Sequence, residues 1–197
     1  MKLCVVGNGP SAKGHGAEID ACDFVVRIKA WWENGAEDAG SRCDALAHYG
    51  LCPGGSVLPR PTGEHWITQT VAHIEGHDDG WDRLDYINRV ANHRPIRWLT
   101  TEAWWRLQRH IKSDPTTGII AVFIGLIVAQ PAELLLYGFD STTTDRPNFW
   151  DARETTERKS PHDVLAEKRI IAKIANGKWL GKPTETKLIW PDMPELT

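Results

Sequence analysis

Three stretches of this 197-residue chain hold residue types in patterns that chemistry can use. The first, Val5-Val6-Gly7-Asn8-Gly9-Pro10-Ser11, is an apolar run that breaks into a glycine-rich turn. Such a turn lets backbone N–H groups approach a phosphate closely, and a helix start adds partial positive charge. Gly7-x-Gly9-x-x-Ala12 also satisfies the relaxed dinucleotide fingerprint. A dinucleotide site, however, wants an acid at the end of the second strand, and this strand ends Arg27-Ile28-Lys29. In the second stretch, Pro115-Thr116-Thr117-Gly118 opens an apolar helical run and Leu135-Leu136-Tyr137-Gly138-Phe139-Asp140 closes a strand. Two hydroxyls, the Gly118 amide and the helix start make a second anion-binding end, with a plain helix cap as the competing reading. In the third, His162 precedes Glu167 by five residues at a helix start. A histidine there can take a proton from a hydroxyl near neutral pH, against the alternative of an ordinary surface residue. His73 and His77 beside Asp78 and Asp79 have metal-ligand types, but no third ligand is placed, so a solvated charged loop is expected and no metal.

The elements that would position these residues alternate between strand and helix. Leu3 to Val6 and Asp23 to Ile28 read as buried strands, with a loop and short helix over 12–21 between them. Asp44–Tyr49, Trp66–Thr70 and Ile96–Leu99 read as three more strands. Gly50 to Gly63 and Gly76 to Gly80 are loops, while 81–92 and 101–111 have helical spacing, the latter with Thr101 as a plausible cap. The apolar helix from Gly118 runs to Gln130, where Pro131 ends it. Glu133 to Gly138 is a continuous apolar strand of the kind buried on both faces of a parallel sheet. Residues 141–160 are polar and irregular, Ser160-Pro161 starts a helix to about Ala175, and Lys187 to Trp190 is a last strand. The expected fold is α/β: one three-layer Rossmann-like domain over 1–197, with a mostly parallel sheet and 141–160 as a lid loop.

Composition narrows the function classes. A formal charge of -3 gives no global attraction to polyanions, which argues against a nucleic-acid partner and requires any phosphate to be held locally. Cys4, Cys22, Cys43 and Cys52 form no CxxC pair, so free thiols in a reducing compartment are expected rather than a disulfide or zinc site. The N-terminal apolar run stops at Gly7, too short for a signal-peptide core, and no apolar stretch reaches a membrane span. A cytoplasmic protein is expected. Ten tryptophans are many for this length; packing accounts for them, with Trp31, Trp32 or Trp150 as the alternative sugar-stacking wall.

Taken together, the residues resemble the sialyltransferases. Cys4 to Ser11, Gly14, Gly16, Ile19-Asp20, Asp23 to Arg27 and Asp38 to Arg42 run like the large sialyl motif. The Gly-Asn-Gly-Pro-Ser form also looks like the bacterial family that includes the Campylobacter enzymes. Pro115 to Ile119 through Tyr137 to Asp140 is similar to the small motif, and His162 to Glu167 to the very small motif. The resemblance implies a GT-A-like sialyltransferase variant that uses a CMP-activated donor such as CMP-sialic acid, needs no metal or other cofactor, and inverts the anomeric carbon. The partners are then the nucleotide-sugar donor and a glycan or small-molecule acceptor, with an oligomer allowed. By motif match, Asn8 and the Gly9, Pro10 and Ser11 backbone meet phosphate and ribose, and Thr116, Thr117 and Gly118 meet the donor carboxylate and phosphate. Gly138, Phe139 and Asp140 meet the cytidine, His162 is the general base, and Arg27 and Glu167 support. Two departures stand out: Lys29 replaces the family's asparagine, and no tyrosine lies between Asp140 and His162 to assist the leaving phosphate. Lys29, Thr116, Thr117, Arg146 and Arg153 are the candidates for that assistance.

Overall fold

In a computed structural model the described residues are 1–29, 36–48, 63–68, 94–140, 162–179, 182–183 and 185–190. They build strands β1 (Lys2–Val6), β2 (Phe24–Ile28), β3 (Ala45–His48), β4 (Glu64–Ile67), β5 (Ile96–Trp98), β6 (Glu133–Tyr137) and, after two short strands β7 (Lys178–Trp179) and β8 (Lys182–Pro183), β9 (Lys187–Ile189). Helices α1 (Gly16–Asp20), α2 (Thr101–Ile111), α3 (Thr117–Ile124) and α4 (Val164–Ala175) lie between them. Seven of the strands form one sheet in the order β5-β4-β3-β2-β1-β6-β9, and each of its pairings is parallel. β7 and β8 pair separately and antiparallel.

The β-branched and aliphatic runs of β1, β2 and β6 are buried on both faces, as expected for central parallel strands. Alternate residues feed two cores. Leu3, Val5, Val26, Ile28, Leu134 and Leu136 pack with α2, α3 and α4 on one face. Cys4, Val6, Val25, Leu135 and Tyr137 pack with Ala12, Ile19 and Cys22 on the other. The period of two in the sequence thus becomes two layers of side chains, and the fold is the expected three-layer α/β arrangement.

Helix α3 is buried continuously from Ile119 to Ile124, which explains why its sequence is apolar all round rather than amphipathic. It does not run as an α-helix to Gln130: a π turn over Gly125–Ala129 takes over, and Gln130 at φ 42° ends it in the left-handed region. Helix α4 begins at Val164, later than Ser160, because the Asp163 carboxylate accepts the Ala166 amide at 2.9 Å and caps it. Likewise Thr100, rather than Thr101, caps α2. The expected helix over 81–92, the loops at 50–63 and 76–80, the lid at 141–160, His73 and His77, Cys52, Trp31, Trp32 and Trp150 lie outside the described residues. Among the described residues no helix is long and apolar enough to cross a membrane.

Two buried histidines give the sheet a pH dependence. His48 Nε2 and His65 Nδ1 are 3.2 Å apart on adjacent strands, at 1 % and 2 % exposure. Burial, reinforced by His65, pushes His48 down from its ordinary 6.5 to about 3, and burial with Arg94 nearby also lowers His65. The unfolded chain therefore binds more protons than the folded one below pH 6.5, so stability falls on acidification from there towards pH 3. Denaturant midpoints between pH 7.5 and 4 should show this loss, and His48→Gln should make it shallower.

Candidate active site

The strand order reverses at β1, whose neighbours are β2 on one side and β6 on the other. In open α/β sheets the crevice at such a reversal, beyond the carboxyl ends of the strands, is where ligands bind. The turns that border it here are Gly7 to Ser11 after β1 and Gly138 to Asp140 after β6, and they are interlocked. The Gly7 amide donates to Tyr137 O at 2.7 Å and the Gly9 amide to Gly138 O at 2.9 Å. The Gly138 amide donates to Ser11 Oγ at 3.1 Å, and the Ser11 amide to Asp140 Oδ2 at 2.9 Å. A Cβ on Gly7 would collide with the Gly138 carbonyl, and one on Gly9 with the Asp140 carboxylate. Gly138 itself sits at φ 71°. Glycine is required at these positions for close backbone approach, but most of the amides that the turn could offer a phosphate are already spent inside the protein.

Asn8 is the polar group that remains at this turn. Its Nδ2 donates to Ile28 O at 3.1 Å, tying the turn to the end of β2, while its Oδ1 is buried without a hydrogen-bond partner among the described residues. A buried carbonyl of this kind costs free energy until a donor reaches it. Lys29 follows Ile28 directly and takes φ 52°, a left-handed conformation that asparagine and glycine adopt far more readily than lysine. Burial lowers the Lys29 ammonium below its ordinary value. The backbone at this position thus matches the asparagine expected from the resemblance, while the side chain does not.

Across the crevice, Gly118 lies against Phe139 and Ile28, so the amino end of α3 sits at the same edge. Thr116 caps that helix: its Oγ1 accepts the Ile119 amide at 3.3 Å and donates to Glu167 Oε2 at 2.6 Å, while its own amide donates to Glu167 Oε1 at 2.6 Å. Thr116 is therefore committed within the protein, and the first-turn amides of Thr117 and Gly118 are the donors the helix presents. Glu167 is 5 % exposed. Burial raises it to about 7 against the lowering by the two Thr116 bonds, with Asp163 raising it further.

His162 stands just before the Asp163 cap of α4. Its Nδ1 is 2.7 Å from Asp114 O, an atom that only accepts, so Nδ1 carries the proton and Nε2 is the basic nitrogen of the neutral ring. The Asp163 amide bonds Ser113 Oγ at 2.8 Å, which fixes the same turn. His162 and Glu167, paired in the sequence pattern, thus do separate work: one is held by the 113–114 turn, the other holds Thr116. One residue went unread in the sequence. Lys168 is 4 % exposed and sits within the electrostatic reach of Asp140, which offsets the lowering that burial imposes on it. Only its place beside Glu167 could have signalled it.

Arg27 falls on the other face. It is 1 % exposed, its Nε donates to Arg42 O at 2.9 Å, and it pairs with Asp20 at 3.6 Å. The Asp20 carboxylate also accepts the Ser41 and Arg42 amides, each at 2.9 Å. Gly14, Gly16, Asp20 and Asp38 to Arg42 therefore form scaffold beneath β2 rather than crevice wall. Arg146 and Arg153 lie outside the described residues. Among the described residues no group of three His, Cys, Asp or Glu side chains could hold a metal ion.

Comparison with solved structures agrees with this architecture. A mammalian sialyltransferase in complex with Gal-beta-1-3GalNAc-ortho-nitrophenol superposes with a TM-score of 0.58 at 19% identity, covering 95% of this chain and 68% of that one. A second mammalian sialyltransferase structure gives 0.56 at 21% identity with the same coverage. The fold is sialyltransferase-like. No protein-family profile matches the chain, and no curated protein matches it by sequence.

Two variants test this sialyltransferase-like edge. Gly7→Ala should cost roughly 1–3 kcal/mol in denaturant unfolding, because its methyl meets backbone rather than a movable side chain. For Glu167, a folded value raised above the unfolded 4.5 means stability is lost as pH rises from there through about 7. Between pH 5 and 8 the wild type should therefore lose stability relative to Glu167→Gln.

Proposed function

We propose that this protein is an inverting glycosyltransferase that moves sialic acid or a related keto-acid sugar from a CMP-activated donor to a sugar hydroxyl. The observation that carries the reading is the convergence, at one sheet edge, of the unsatisfied Asn8 Oδ1, the amide end of α3 and a histidine held in one tautomer. The sialyltransferase-like fold supports it, as does the sugar acceptor analogue bound by one of the similar structures. In this reading Asn8 Oδ1 takes a hydrogen bond from the ribose or cytosine, and Gly138, Phe139 and Asp140 wall the nucleoside. The Thr117 and Gly118 amides, with Lys29 and Lys168, carry the phosphate and donor carboxylate. His162 Nε2 accepts the proton of the acceptor hydroxyl as its oxygen attacks the anomeric carbon. The bond from that carbon to the phosphate oxygen breaks on the opposite face, CMP leaves with the electron pair, and the configuration inverts. Hydrogen bonds to a charged group contribute about 1.5–3 kcal/mol each, so the helix amides and lysines are adequate to replace the absent tyrosines.

Lys29 in its left-handed position favours a second reading, a CMP-binding protein on the same fold without turnover. The two separate experimentally. Calorimetry should show CMP binding and no NAD binding, with Asn8→Ala weakening CMP about tenfold. His162→Ala should keep CMP affinity but lower CMP-sugar turnover by about 10²–10⁴-fold, and EDTA should leave the wild-type rate unchanged. Equal rates for wild type and His162→Ala would select the silent reading; NAD binding without CMP would sink both.

A further inference from the structure

Beside the crevice, at the end of α2, lies a cavity of about 740 Å³ lined by Trp105, Gln108, Arg109, Lys112, Ser113 and Asp114. Its size falls within the roughly 300–1,000 Å³ of small-molecule sites. Trp105, Gln108, Arg109 and Lys112 follow the i, i+3, i+4, i+7 spacing of a single helix face, opposite the buried Trp104, Leu107 and Ile111. A tryptophan on the polar face of an amphipathic helix is out of place as packing. Trp105 is 49% exposed, and the buried Trp104 ring meets it edge-on, centroids 5.3 Å apart at 88°. A steadied, half-exposed indole is the surface on which the apolar face of a sugar ring stacks.

The charge of the cavity is equally specific. Its one acid, Asp114, accepts Gln108 Nε2 at 3.0 Å. Arg109 and Lys112 make no ion pair among the described residues. Arg109 in the last turn of α2 complements the helix dipole, which accounts for one cation. Lys112 is not explained that way, since it lies past the helix at φ 63°, a position usually given to glycine. The cavity also adjoins the base, because Ser113 and Asp114 both line it and hold Asp163 and His162.

We propose that this cavity is the acceptor subsite and that it selects a saccharide bearing an anionic group, carboxylate or phosphate. The sugar ring stacks on Trp105, and the anion lies between Arg109 and Lys112. This rests on the transferase reading, but its test does not need turnover. The full chain is titrated by calorimetry with methyl β-galactoside, methyl β-galacturonide and methyl β-galactoside 6-phosphate, and CMP is titrated in parallel.

The acidic sugars should bind about tenfold more tightly than the neutral one at low salt, with the difference shrinking by 0.5 M NaCl as exposed charges are screened. If both acids gain, the site reads charge; if one alone gains, it reads carboxylate or phosphate geometry. The double variant Arg109→Gln, Lys112→Gln should remove the preference and leave the neutral sugar unchanged, while Trp105→Ala should weaken all three sugars. The proposal is overturned by equal affinities, by no sugar binding, by a preference that survives in the double variant, or by acidic sugars that displace CMP. CMP binding alongside any of these results would leave the transferase reading standing; loss of CMP binding would fault that reading instead.

Discussion

The rest of the site depends on one close approach, that of the backbone at Gly7 to the backbone at Gly138. Strands β1 and β6 are parallel neighbours in register to their last residues, Val6 against Tyr137, and only the absence of both Cβ atoms lets the chains continue in contact past the sheet. The amides and carbonyls exchanged across this contact leave little of the turn's own backbone to a ligand. The glycine turn therefore acts mainly as a clasp. It holds Asn8 and the 138–140 wall in place, and recognition passes to side chains and to the amino end of α3.

Helix α4 supplies the second half of the arrangement. From one short stretch it sends Glu167 to the α3 cap, Lys168 towards Asp140, and, just ahead of its own cap, His162 to the 113–114 turn. A movement of this helix would disturb the anion-binding amides and the base together. The buried carboxyl of Glu167, shared between the amide and hydroxyl of Thr116, makes that coupling tight, because removing either partner strands a polar group in the interior.

The residues that suggested the family divide by face. Those at the carboxyl edge of the sheet border the crevice, whereas Gly14, Gly16, Asp20 and the 38–42 segment brace β2 from beneath through Arg27 and Arg42. A motif read as one functional string is thus partly a binding edge and partly the support that orients it. Lys29 stands at the join, in a backbone conformation suited to asparagine but with a long cationic side chain in its place.

The sequence by itself determined the layers. Period-two burial in β1, β2 and β6, the all-apolar α3 and the glycines of the 7–9 turn are local patterns dictated by side-chain geometry and backbone freedom, so the α/β class and most strands were legible from them. Helix ends were less so: Asp163 rather than Ser160 starts α4, and a π turn interrupts the apolar helix, because caps compete and tertiary packing chooses among them. What only the tertiary structure decided is which polar groups are still available. The chain shows a threonine, a glycine amide and an arginine as equally eligible donors. Folding commits Thr116 to Glu167, the Gly9 and Ser11 amides to the 138–140 turn and Arg27 to the opposite face, while Asn8 Oδ1 stays unsatisfied. Partners 20 to 129 residues apart make those choices, and no local pattern can carry them.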